Sequence, residues 1–144
     1  MRVVIDTNVI VSALLNANGI PAKILSLILN GKVEMLYDNR IIFEYSEVLS
    51  RKEFGFNVEI VNDLIDYFRN EGEYIIAEHS KIKFHDETDK KFYEVHKSGN
   101  PGRDPAGSRF SSGKSHYLIT GNKKHFPKDD TIITPREFID EIHK

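Results

Sequence analysis

VVIDTNVIVSALL, residues 3–15, changes periodicity across three polar positions. Val3, Val4 and Ile5 make a short β-branched run of the kind that fills a buried strand. Asp6, Thr7 and Asn8 interrupt it, and apolar residues then resume at helical spacing. A bare carboxylate therefore stands where a strand stops and a helix begins.

The same alternation continues outward along the chain. Short apolar runs RVVI (2–5), VEMLY (33–37), YIIAE (74–78), HYLIT (116–120) and TIIT (131–134) read as strands. Between and after them, VIVSALLN, PAKILSLILNG, RIIFEYSEVLSRK, NVEIVNDLIDYFRN, DKKFYEVHK and REFIDEIHK carry helical patterns. Asn8, Asn57 and Thr88 are suited to N-cap these helices, and Gly31 and Gly72 to stop them. Strands alternating with helices predict an α/β fold with a mostly parallel sheet covered on both faces. At 144 residues, 1–144 is expected to form a single domain with a sizeable core. One segment, SGNPGRDPAGSRFSSGKS (98–115), holds four of the nine glycines and five serines, too little apolar surface for an element. It predicts a flexible insertion loop at 98–115.

Composition narrows the function classes. Twenty Lys and Arg against 22 Asp and Glu leave a formal charge of −2, so only a local patch would bind phosphates. The absence of cysteine excludes disulfides, thiolate metal sites and cysteine nucleophiles. No apolar run approaches the roughly 18 residues that span a bilayer, and MRVVIDTN lacks the regions of a signal peptide. A cytoplasmic protein with no membrane partner is the expectation.

In a parallel sheet, ligands gather outside the carboxyl ends of the strands, where Asp6 falls. Asp6 is either a turn and capping residue or a ligand at that rim, with Thr7 placed to orient its carboxylate. On RIIFEYSEVLSRK, residues Ile41, Tyr45, Val48 and Leu49 form the inward stripe. Glu44 lies about 60° from Ile41 at its edge, and Glu47 points further out. Glu44 is thus either a half-exposed surface acid or a second group at the rim. Asp89 precedes Phe92 by three, and Phe92, Val95 and His96 carry the inward stripe of that helix. It either favours the helix dipole in a first turn or joins the rim, and Asp86 competes for the role. Three carboxylates on one rim repel unless they share a proton or bind a divalent cation. Oxygen-only ligation favours Mg²⁺ or Mn²⁺ over zinc.

VVIDTNVIVSALL, FEYSEVLSRKEF, DKKF, YLITGNKKHF and TPREF, in this order and spacing, resemble a PIN domain, specifically the VapC-like toxin components of toxin–antitoxin pairs. The resemblance spans almost the whole chain. It implies a three-layer α/β/α fold and a Mg²⁺- or Mn²⁺-dependent endoribonuclease. Asp6, Glu44 and Asp89 would be metal ligands, with a fourth catalytic position at Asn122 after strand four. Thr7, Asn8 and Thr120 would hold the ligands in place, and Lys123, Lys124 and His125 would either contact the RNA or form a solvated charged turn. Homodimerisation and a small antitoxin partner are further implications. Apolar Leu14, Leu15, Ile24 and Ile28 on the first two helices are either a dimer contact or core. Two departures stand out. Many relatives have an acid where this chain has Asn122, which lowers the charge available to a second metal. The 98–115 insertion is unusual too, and should emerge at the end of the sheet away from the acids.

The competing reading is a catalytically weakened PIN scaffold that binds RNA or a partner protein without cleavage. Aspartyl-phosphate chemistry is disfavoured, because it calls for a second acid where Asn8 stands.

Overall fold

The computed structural model describes residues 1–99 and 116–144. Five strands, β1 (Arg2–Ile5), β2 (Glu34–Tyr37), β3 (Glu73–Tyr74), β4 (His116–Ile119) and β5 (Ile132–Ile133), form one sheet in the order β3-β2-β1-β4-β5. Every pairing is parallel. The helices are α1 (Thr7–Leu15), α2 (Ile20–Leu29), α3 (Asn39–Leu49), α4 (Val58–Glu71), α5 (Lys90–Ser98) and α6 (Pro135–Ile142). Right-handed crossovers put α1 to α4 on one face and α5 on the other. There α5 lies across β1, β2 and β4, while α6 packs on α2. This is the three-layer α/β/α arrangement expected.

The order reverses between β1 and β4, because the chain builds β1 to β3 in one direction and then returns. At such a switch point the connections leave in opposite directions and open a crevice at the strands' carboxyl ends. Asp6 follows β1 and Thr120 follows β4, so both stand at that crevice; the Asp6 N–H donates to the Ile119 carbonyl at 3.0 Å.

The predicted inward stripes are buried, including Ile41, Tyr45, Val48 and Leu49 on α3 and Phe92, Val95 and His96 on α5. Ile24 and Ile28 belong to the core, leaving Leu15 as the strongly exposed member of that group. No single helix among the described residues is long and apolar enough to cross a membrane.

Several local expectations need correction. Asp6, not Asn8, occupies the N-cap position of α1, because the helix begins at Thr7, two residues earlier than the apolar pattern suggests. Thr88 lies inside a 3-10 turn, Glu87–Asp89, that Asp86 caps by accepting from the Thr88 N–H at 2.9 Å. YIIAE is not a five-residue strand. The ladder ends at Tyr74, although the Ile75 N–H still reaches the Tyr37 carbonyl at 2.8 Å. Asn57 does cap α4, accepting from Glu59 and Ile60, and Gly72 ends it. A Cβ on Gly72 would meet the Phe68 and Met35 carbonyl oxygens at 2.6 and 2.8 Å, so only glycine fits. Within the expected loop, Ser98 closes α5 and Gly99 follows it; the rest, 100–115, lies outside the described residues. Gly99 and His116, which flank that gap, both adjoin Arg2 at the amino end of β1.

Candidate active site

The crevice above β1 and β4 collects Asp6, Glu44 and Asp89 from three elements. Asp6 is 9% exposed, and its Oδ2 accepts from the Thr120 hydroxyl at 2.8 Å. The hydroxyl of buried Tyr45 donates to the Ile5 carbonyl, tying α3 to the end of β1. That tie brings the neighbouring residue, Glu44, against Thr7, whose hydroxyl donates to its carboxylate. Asp89 ends the 3-10 turn that leads into α5. Its Oδ2 is shut off from solvent and has no hydrogen bond of good geometry, and the nearest basic group is the His125 ring, with Nδ1 at 3.2 Å.

Asn122 joins two of these acids indirectly. Its backbone N–H donates to Thr120 Oγ1 at 3.0 Å, and its Nδ2 lies 3.0 Å from His125 Nε2. The network therefore runs Asp6–Thr120–Asn122–His125–Asp89, with Glu44 held by Thr7 beside Asp6. With the Asn122 amide donating, His125 Nε2 accepts and Nδ1 carries the proton that faces Asp89.

The acids act on one another. Burial raises the Asp6 carboxyl above its ordinary range, and the charges of Asp89 and Glu44 raise it further against the pull of Thr120. Asp89 is also raised, first by burial and then by Asp86, with His125 opposing and Glu44 adding to the rise. Asp86 is lowered by the Thr88 hydroxyl and amide, as suits an exposed capping residue rather than a rim ligand.

Two basic residues already sit on this cluster. Lys91 Nζ is 2.6 Å from Glu44 Oε1, with its side chain only 13% exposed. His125 partners Asp89 as described. With the side chains so engaged, no three histidines or acids among the described residues are gathered as a ready cation site. The chemistry of the set nonetheless fits a hard divalent ion. Its donors are carboxylate oxygens, two of the three acids hold their protons more tightly than usual, and one buried oxygen lacks a directed donor.

Of the other anticipated residues, Asn8 is exposed within α1, and its backbone N–H helps to lower Asp6. Lys123 pairs with Glu137 at 3.0 Å, and Lys124 is exposed. The sequence reading missed the role of Lys91, two residues after Asp89 in DKKF. It also missed a buried ion network: Arg40 joins Asp38 and Glu94, at 2.7 Å each, and Glu94 further accepts from the Ser80 N–H at 2.7 Å. Asp38 follows β2 just as Asp6 follows β1, and that positional echo was the available signal. Asp38 is spent on capping α3 through the Ile41 N–H.

Comparison with known proteins gives a consistent result. The family model for the PIN domain matches residues 2–124. The "Uncharacterized protein MJ1680" of Methanocaldococcus jannaschii is 31% identical over 169 aligned positions, covering all of this chain and 93% of that protein. No solved structure matches the chain. PIN domains are generally nucleases and typically use divalent metals. An acid-lined crevice at the switch point of a parallel sheet, together with a family match over most of the sequence, leads to one assignment: the chain belongs to the PIN-domain family.

Proposed function

We infer that this protein is a Mg²⁺- or Mn²⁺-dependent endoribonuclease and the toxin component of a toxin–antitoxin pair. The observation that carries the reading is Asp6: buried at the switch point, and raised by burial and by the charges of Asp89 and Glu44. A group so placed gains from a nearby cation.

Asp6, Glu44 and Asp89 would hold the ion. Once bound, it would lower the pKa of the attacking water and offset charge on the scissile phosphodiester. Thr120 and Thr7 fix the carboxylates of Asp6 and Glu44. Asn122 adds an amide in place of a charge, favouring one tightly held ion over two. Lys124 and Lys123 lie just past it, where flanking phosphates would pass. The ordered motifs of the VapC-like branch support the toxin role, with RNA as substrate, a small antitoxin as partner, a homodimer as the assembly and the cytoplasm as the setting.

A second reading is a weakened scaffold that binds RNA or a partner protein without cutting. The Lys91 ammonium already seated on Glu44 and the His125 ring beside Asp89, with Asn122 in place of an acid, favour it. Incubation with single-stranded RNA in Mn²⁺ and in EDTA separates the two. Cleavage that the chelator stops supports the nuclease, whereas a gel shift without cleavage, indifferent to the chelator, supports the scaffold.

A further inference from the structure

Phe43 precedes Glu44 on α3 and is 73% exposed, the most exposed phenylalanine among the described residues. An isolated exposed aromatic ring is unremarkable. This one is not isolated from the site. It walls a cavity of about 660 Å³ whose other lining residues are Asn39, Arg40, Glu44, Glu47 and Lys91. Two of these, Glu44 and Lys91, form the ion pair at the acid crevice. The space is thus an open, shallow extension of the crevice, shaped for a flat group laid on the ring rather than for an enclosed ligand.

Arg40 adds a second flat surface. Its Nε donates to Asp38 Oδ2 at 2.9 Å and its Nη1 to Glu94 Oε1 at 2.7 Å, so both contacts engage the guanidinium edge. A guanidinium held by its edge is pre-oriented for stacking, and its charge suits a neighbouring phosphate.

We propose that Phe43, with Arg40, is a stacking platform for one unpaired nucleobase of a single strand whose backbone crosses the acid crevice. The proposal rests on the nuclease reading of that crevice. A nucleobase has flat apolar faces and polar edges, and it matches a ring bordered by an arginine, an asparagine and two acids. A stable protein interface covers about 800 Å² on each partner and needs further apolar anchors beside the ring. No other exposed large apolar residue among the described residues lines this space. Stacking also tolerates any base, so the platform adds affinity and register without selecting sequence.

The test measures anisotropy of a labelled single-stranded RNA of about a dozen nucleotides. An Asp6→Asn background keeps the strand whole in Mg²⁺. Phe43→Ala should weaken binding about tenfold, Phe43→Leu nearly as much, and Phe43→Trp not at all. Because Phe43 is exposed, thermal melting should not change. An abasic site scanned along the RNA should, at one position, weaken binding to the Phe43-containing protein by the same factor and leave Phe43→Ala unaffected. Equal binding by Phe43→Ala, no binding by the Phe43-containing protein, or a loss indifferent to the abasic site overturns the platform. A change from dimer to monomer in Phe43→Ala, with RNA binding intact, assigns the ring to a contact between copies and also overturns it. Mn²⁺-dependent cleavage by the wild-type protein is scored separately. Cutting with no Phe43 effect removes only the platform, while base-dependent binding without cutting removes only the nuclease.

Discussion

The two ends of the parallel sheet handle charge in opposite ways. At the amino end, Arg2 reaches Glu73 at 2.6 Å and the Gly99 carbonyl at 2.9 Å, while Lys97 reaches Asp129 at 2.6 Å. Asp129 also accepts from the Thr131 hydroxyl and N–H, and these donors hold its carboxyl far below the usual range despite partial burial. At the carboxyl end, Asp6 is the same residue type with the opposite shift: burial raises it and the charges of Asp89 and Glu44 add to the rise, against the Thr120 hydroxyl. Charges matched within the chain maintain the fold. At the rim Lys91 answers Glu44, while Asp6 is held by a neutral hydroxyl, and the surplus of one sign that is left suits an external cation.

Breaking the surplus should have the largest effect. Asp6→Asn should lower metal-dependent RNA cleavage by about a thousandfold, on the scale of losing one principal electrostatic group. Stability at neutral pH should stay level or rise, because the folded state holds the Asp6 proton above its unfolded pKa and the ionised acid is a liability there. Paired turnover and denaturant titrations check both halves. Retained cleavage would erase the contrast between the two ends.

The amino end should answer to acid instead. Burial, helped by the neighbouring His116 with ring centroids 4.7 Å apart, pushes His96 down from 6.5 to about 3. A depressed histidine binds its proton better unfolded. Stability should therefore be full above about pH 6.5 and fall toward pH 3 by up to about 1.4 kcal/mol per unit. His96→Phe should flatten that slope in denaturation curves collected across the range. An unchanged slope would place the acid sensitivity elsewhere.

Asp129→Asn sharpens the contrast from the structural side. It leaves Lys97 unpaired and weakens the Thr131 turn, a loss of about 1–2 kcal/mol, with RNA cleavage unaltered. The smallest effect belongs to Asn122→Asp, which restores a charge at the rim. The Mn²⁺ concentration for half-maximal cleavage should drop a few-fold, since added ligand charge tightens a hard cation. No drop would mean that Asn122 serves only the Thr120 and His125 bonds.

Much of this was legible before any coordinates. Strand ends and stripe edges are local patterns, so Asp6 after VVI and Glu44 beside Ile41 were readable. The reversal of strand order that makes their meeting place a crevice was not, because no local pattern says that β4 pairs with β1. What local pattern does not encode is which cation crosses to which acid. Lys91 on Glu44 and Arg40 on Glu94 depend on how α3 and α5 meet at the rim, a tertiary fact. Glu94 illustrates the limit: helical periodicity predicts it outward, yet it is among the most buried acids because Arg40 and the Ser80 amide reach it. The expected strand 74–78 failed for a related reason. The sheet edge offers β3 a neighbour on one side only, so the ladder stops where β2 stops, at the pairing of Tyr37 with Tyr74.

The most direct test is a crystal soaked in Mn²⁺ and measured for anomalous scattering. The expected result is a peak bounded by carboxylate oxygens of Asp6, Glu44 and Asp89, with Lys91 displaced from Glu44 and the peak lost in Asp6→Asn. A soaked crystal with the Lys91–Glu44 pair intact and no peak in the crevice would contradict it.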